Sequence, residues 1–220
     1  MARARPVDVV LEVGAKRVFA TAVDWPGWCR SGRTEEAALE NLLSYADRYA
    51  PVATAAGLSL PARPTMGVVE RVKGDATTDF GAPGTVARAD FRPVGAADAR
   101  RIVALVTASW DALDTVAATA PAELRKGPRG GGRDRDTMLA HVASAESAYA
   151  RKIGLKLREP APGDRAAWLA NRDELVAVLG SPSDGERLVE PTGWPLRYAA
   201  QRIAWHALDH AWEMQDRATP

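Results

Sequence analysis

The chain is poor in the residues that carry most recognisable chemistry. It has one cysteine, Cys29, and three histidines in 220 residues. A single cysteine excludes an internal disulfide and fits a reducing cytoplasm. The formal net charge is only +1, so no overall field gathers nucleic acid or an anionic membrane. Basic residues open the chain at Arg3 and Arg5, but no apolar run of signal length follows, and no stretch is expected to reach a membrane span. There are no internal repeats. These absences leave a cytoplasmic protein of one large domain or two small ones, with length enough for a buried core.

What is present divides by periodicity. Val7, Val9 and Leu11 alternate with Asp8 and Glu12, and Gly14-Ala15-Lys16 marks a tight turn before the strand Arg17 to Val23. The pattern predicts a hairpin. Asp24-Trp25-Pro26-Gly27 is a further turn, followed by a short strand from Trp28 to Gly32. Thr34 is a suitable N-cap, and Glu35 and Glu36 complement the dipole of a helix carrying Leu39, Leu42 and Leu43 to at least Ala50. Thr65 to Val72 reads as a fourth strand. Gly74 to Gly95 is rich in turn formers and reads as a linker with room for one more strand. On that composition the two halves are expected to fold independently.

From Ala96 the period becomes helical. Ile102, Leu105, Val106, Trp110 and Leu113 form one stripe, and Pro121 with the run from Gly127 to Gly132 ends it. Further helices are expected over about 135–153, 164–179 and 195–217, the last with Pro195 in a favourable first-turn position. The expected class is α+β: a small antiparallel sheet with one helix over 1–75, a linker over 76–93, and an up-down four-helix bundle over 94–220.

All three histidines fall where one metal could use them. His206 and His210 are four apart, a little over one helical turn, and project from the same helix face. His141 lies on a second predicted helix, in the setting where facing helices of a bundle build metal sites. Neutral imidazole is the commonest zinc ligand, and catalytic sites usually keep three protein ligands and one open position. The competing reading is three unrelated histidines, two on a wet face and one in the core. Asp209, Glu213 and Glu146 are the nearest carboxylates for orienting an imidazole or serving as a general base. Glu213, one turn after His210, is on the right face, while Asp209 is offset. The stretch His206 to His210 lacks the glutamate of a His-Glu-x-x-His metallopeptidase helix, since Ala207 stands there. Gly127 to Arg133 has no Gly-Lys-Ser/Thr ending and reads as an interhelical loop. Cys29 reads as a partly buried strand residue before it reads as a redox thiol.

Two resemblances follow from these residues. Phe19 to Leu42, with its Trp25-Pro26-Gly27 turn and its Thr34-Glu35-Glu36-Ala37 cap, resembles the HicB-like antitoxin domain. That likeness implies a degenerate ribonuclease-H-like fold and a docking role for a protein partner. Nuclease activity is not expected, because the strands offer mainly Asp8, Glu12 and Asp24. The part from Val94 to Arg217 resembles the DinB/YfiT-like metal-binding superfamily, which includes thiol-dependent transferases and isomerases. His141 matches the histidine on the second helix of that family, and His206 and His210 match the pair on its last. The resemblance implies zinc or nickel as the metal and a low-molecular-weight thiol as co-reactant. It also implies a small-molecule substrate; Glu213 and Asp209, from their places beside His210 in the sequence, are the candidate catalytic groups. The alternative is a non-enzymatic metal- or ligand-binding protein whose N-terminal segment docks a protein partner. A homodimer is a further candidate association; nucleic acid and membrane are not expected partners.

Overall fold

The computed structural model of the chain describes residues 5–126 and 132–218. Strands β1 (Val7–Val13) and β2 (Val18–Ala22) form the expected hairpin, closed by the Gly14 N–H donating to the Arg17 carbonyl at 2.9 Å. Strand β3 (Cys29–Gly32) pairs antiparallel with β2. The last strand, β4 (Met66–Lys73), lies on the other side of β1 and runs parallel to it, giving the order β3-β2-β1-β4. The sheet is therefore mixed, not wholly antiparallel. Its cause is the connection: the chain crosses through helices after β3, and a long crossover permits parallel pairing where a tight hairpin does not.

That crossover holds two helices where one was expected. In α1 (Glu35–Ser44) the Thr34 hydroxyl accepts from the Ala37 N–H at 3.2 Å, and Glu35 and Glu36 occupy the first turn. The helix breaks at Tyr45, whose ring lies beneath the Arg30 guanidinium at 4.0 Å and against Trp212. Helix α2 (Ala46–Ala55) then resumes. Trp28 is fully buried, stacks on Tyr49 and donates its indole N–H to the Leu42 carbonyl at 2.8 Å.

The stretch read as a linker holds no strand. It carries the short helix α3 (Ala76–Phe80), capped by Asp75, and a 3-10 turn over Arg88–Phe91. Glu12 of β1, almost wholly buried, pins it by accepting from the N–H groups of Gly84 and Thr85 and from the Thr78 hydroxyl. The carboxylate satisfies donors that the turn-rich backbone cannot satisfy itself.

Four long helices complete the chain: α4 (Ala96–Thr119), α5 (Arg135–Lys152), α6 (Arg165–Leu179) and α7 (Leu196–Ala218). They share an apolar core including Leu113 of α4, Met138 and Val142 of α5, Leu175 of α6 and Ile203 of α7. Helix α4 is long and apolar enough to cross a membrane by length and composition, contrary to the sequence expectation. In the fold its Ile102, Val106 and Leu113 are buried in this helical core.

A second core joins the halves. Val9, Leu11, Trp28, Leu42 and Tyr49 pack with Leu105 and Ala108 of α4 and with Leu208 and Trp212 of α7. The turn before β3 fits tightly against α7. Gly27 has φ +92°, and a Cβ there would stand 2.7 Å from the Leu208 side chain. Only glycine accepts both that backbone conformation and that approach. The Gln201 amide spans the seam, accepting from the Gly27 N–H at 3.0 Å and donating to the Ala22 carbonyl at 2.7 Å. Helix α7, with residues 196–214 buried almost continuously, thus serves both cores and carries two of the three histidines.

Candidate metal centre

Helices α5 and α7 bring His141, His206 and His210 together. The Nε2 atom of His206 lies 3.2 Å from that of His141 and 3.2 Å from that of His210. One ligand atom from each ring lies within 4.8 Å of the other two. Two nitrogens bound tetrahedrally to zinc at about 2.0–2.1 Å would stand about 3.3 Å apart, so the spacing suits a common ion.

Proton bookkeeping points the same way. The Nδ1 of His210 faces the Glu213 carboxylate at 3.0 Å, a contact that calls for a proton on Nδ1, so that in the neutral ring Nε2 carries the lone pair. His206 Nε2 faces two other Nε2 atoms, and one ring nitrogen has only a single proton or a single lone pair to offer. Its Nδ1 is buried without a partner among the described residues. A hydrogen bond serves one of the contacts; a cation serves all three lone pairs.

The surroundings keep two of the rings neutral, as ligation requires. Burial pushes His141 down to about 4, with the Arg133 guanidinium and His210 acting in the same direction. Burial likewise holds His206 well below the ordinary histidine range, aided by His210, His141 and Arg202. His206 and His210 are buried, while His141 is the partly exposed member, through which the cluster meets solvent. Glu213 is held below the usual carboxylate range, first by its bond to His210 and also by Arg217. Arg217 donates to the other Glu213 oxygen at 2.8 Å, so an arginine fixes the carboxylate that fixes the imidazole.

The other sequence candidates lie elsewhere. Asp209 turns away from the histidines and accepts from Arg30 of β3 at 2.8 Å, where it ties the sheet to α7. Glu146 is buried against Arg172 and accepts from the Trp168 indole N–H at 2.6 Å. Cys29 is buried beside Phe19 and Trp205, and loss of hydration pushes its thiol up to about 12, which removes the thiolate that redox chemistry needs. Of the carboxylates considered for nuclease chemistry, Glu12 is spent on backbone donors and Asp24 on Arg92. Gly127 to Gly131 of the glycine-rich stretch lie outside the described residues. A Cβ on the neighbouring Gly132 would come within 2.6 Å of the Arg217 guanidinium carbon.

Sequence reasoning missed Arg217, although its spacing of four from Glu213 on one helix is a readable signal. It also missed the aromatic neighbour Tyr149, whose ring centroid lies 5.8 Å from that of His206. A cleft of about 590 Å³ between α4, α5 and α6 is lined by Leu139, Ala143 and Trp168 and by none of the histidines. No known protein family, curated protein or solved structure matches the chain.

Proposed function

We propose that the chain is a divalent-metal-dependent enzyme of the DinB-like, thiol-transferring type, with His141, His206 and His210 as ligands to zinc or nickel. The observation that carries this reading is the convergence of three Nε2 atoms from two helices at 3.2 Å spacings. A divalent metal with three neutral ligands keeps its full charge, and the chemistry it supplies when bound is the deprotonation of a low-molecular-weight thiol. The remaining work falls to the chain. Glu213, braced by Arg217, orients His210 and sets its tautomer. Burial keeps His141 and His206 unprotonated and available. The part-exposed His141 edge is where a small-molecule substrate would approach.

The wider architecture supports the same reading. Four long helices around one core, with ligands on the second and last of them, accord with an up-down DinB-like bundle. Three strands, a helical crossover begun by the Thr34-capped helix, and a further strand support a HicB-like N-terminal unit in the role of scaffold and docking surface, although the crossover holds two helices and not one. One observation favours a second reading as a ligand-binding protein without turnover: the 590 Å³ cleft stands apart from the histidines.

Cobalt(II) titration of the full chain tests the proposal. One equivalent should bind with the visible absorption of a tetrahedral nitrogen site, and added thiol should produce a charge-transfer band. Alanine at any of the three histidines should abolish the spectrum. A His141→Ala variant that binds as tightly as the wild type would overturn the site. Cobalt binding without a thiol band would favour the binding protein over the transferase.

A further inference from the structure

A second cleft, of about 420 Å³, opens on the seam between the sheet and helices α4 and α7. Its charged lining consists of Asp24, Arg92, Asp98, Arg101 and Arg197, three guanidinium groups against two carboxylates. Both carboxylates are already engaged. Asp24 accepts from Arg92 at 2.6 Å and lies 3.5 Å from Arg197, while Asp98 accepts from Arg197 at 2.8 Å. Arg197 also donates to the carbonyls of Arg92 and Pro93.

Arg101 is left over. Its guanidinium carbon lies 4.4 Å from the centroid of the Trp25 ring, a cation–π contact, and its Nη1 is buried with no acceptor among the described residues. No carboxylate pairs with it among the described residues. A guanidinium is charged at every physiological pH and carries five donors in a fixed fork that matches the paired oxygens of a carboxylate or phosphate. Burying one of its N–H groups without an acceptor costs stability, and Arg101 lines the cleft with no carboxylate to neutralise it. The cleft also falls within the roughly 300–1,000 Å³ range of small-ligand sites.

We propose that this cleft is a binding site for a small oxyanion, a carboxylate or phosphate group, with Arg101 as its principal ligand and Arg92 beside it. The excess of one positive charge supplies the attraction, and Arg101, held against Trp25 and without a carboxylate partner, supplies the free guanidinium fork. No histidine lines the cleft, so the proposal is independent of the metal reading.

Isothermal titration of the full chain with inorganic phosphate, and separately with succinate, tests it at ionic strength matched by sodium chloride. One equivalent of at least one of the two anions should bind saturably, and which one binds identifies the source of the oxyanion. Arg101→Gln should weaken that binding by roughly ten-fold or more, the loss expected for a charged hydrogen-bond pair. Asp24→Asn should tighten it, by releasing Arg92 and Arg197 from a competing carboxylate. Circular dichroism confirms folding of each variant. Should Arg101→Gln fail to fold, the sign of the Asp24→Asn effect decides the matter. Saturable binding of neither anion overturns the proposal. So does a folded Arg101→Gln protein that binds as the wild type does, or an Asp24→Asn protein that binds no better.

Discussion

The Nε2 atoms of His141 and His206 lie 3.2 Å apart across 65 residues of sequence, one on α5 and one on α7. No local pattern dictates that contact. It exists because both helices bury their apolar stripes in one core, Met138 and Val142 on α5 and Ile203 and Ala207 on α7. His206 and His210 are buried beside those residues and His141 partly so, and packing of the core sets their separation.

Glu213 and Asp209 should behave differently although both neighbour His210. Glu213 touches the imidazole at 3.0 Å, whereas Asp209 serves Arg30. Glu213→Ala should lower metal affinity by about 10–100-fold, the usual cost of losing a carboxylate behind a ligating histidine. Asp209→Ala should leave affinity unchanged and cost about 0.2–1 kcal/mol of stability, as a partly exposed ion pair does. Metal titration alongside urea denaturation separates the two, and equal effects on affinity would contradict the assignment.

In the metal-free protein the His141 ring should stay neutral down to about pH 4, far below the unfolded value of about 6.5. The unfolded chain then binds more protons than the native one between those values, so this group lowers stability as pH falls from about 6.5 towards 4. Burial of His206 acts in the same direction. Nuclear magnetic resonance titration of the His141 ring checks this directly. A midpoint near 6.5 would mean that the ring is solvated.

Much of this fold is legible in the sequence because it rests on local signals. Alternation at Val7, Val9 and Leu11 marks β1, the Thr34 cap starts α1, and the four-residue spacing of His206 and His210 places both on one face. The unreadable parts depend on distant partners. Nothing near Met66 reveals that β4 will pair parallel with β1, since the side of the sheet it joins is set by the crossover. The turn-rich stretch around Pro83 reads as a linker because the buried carboxylate that orders it, Glu12, lies about seventy residues earlier. Asp209 is offset from the histidine face by its spacing, but its actual partner, Arg30 of β3, lies 179 residues away in sequence and is visible only in the fold.

Asp90 should give the chain a pH dependence of opposite sign. Loss of hydration, with Glu70 nearby, raises its carboxyl from 3.8 to about 7. The native state therefore holds more protons than the unfolded state between those values, and stability falls as pH rises through that window. Glu12, raised by burial, contributes with the same sign. Asp90→Asn keeps an oxygen to accept from the Ala87 N–H, a bond of 2.8 Å in the native chain, and no longer ionises. Urea denaturation at pH 5 and pH 8 should show a shallower decline for the variant than for the wild type. An unchanged decline would show that Asp90 ionises freely in the folded protein.

Residues 94–220 should not fold alone into the native helical structure, contrary to what the linker-like composition of Gly74 to Gly95 suggests. Leu105 and Leu208 are completely buried and Trp212 nearly so, but their cover is Val9, Leu11, Trp28 and Tyr49 from the other half. Burial of one such side chain is worth about 1.5–3 kcal/mol. Losing it at these three positions removes about 5–9 kcal/mol, a large part of the 5–15 kcal/mol that holds a typical domain together. The cut also severs the Gln201 amide from Ala22 and Gly27, and Asp209 from Arg30. Gln201 would lose partners in a buried position, while α7 would present an apolar face to water. The expected product is insoluble or molten: helical by far-ultraviolet circular dichroism, without the near-ultraviolet signal of fixed tryptophans, and avid for hydrophobic dyes. Co-expression with residues 1–93 should restore a soluble complex, because the missing cover is then supplied in trans. Cooperative thermal unfolding of 94–220 by itself, with a near-ultraviolet spectrum like that of the whole chain, would show that the helices carry their own stability and that the sheet rests on a finished core.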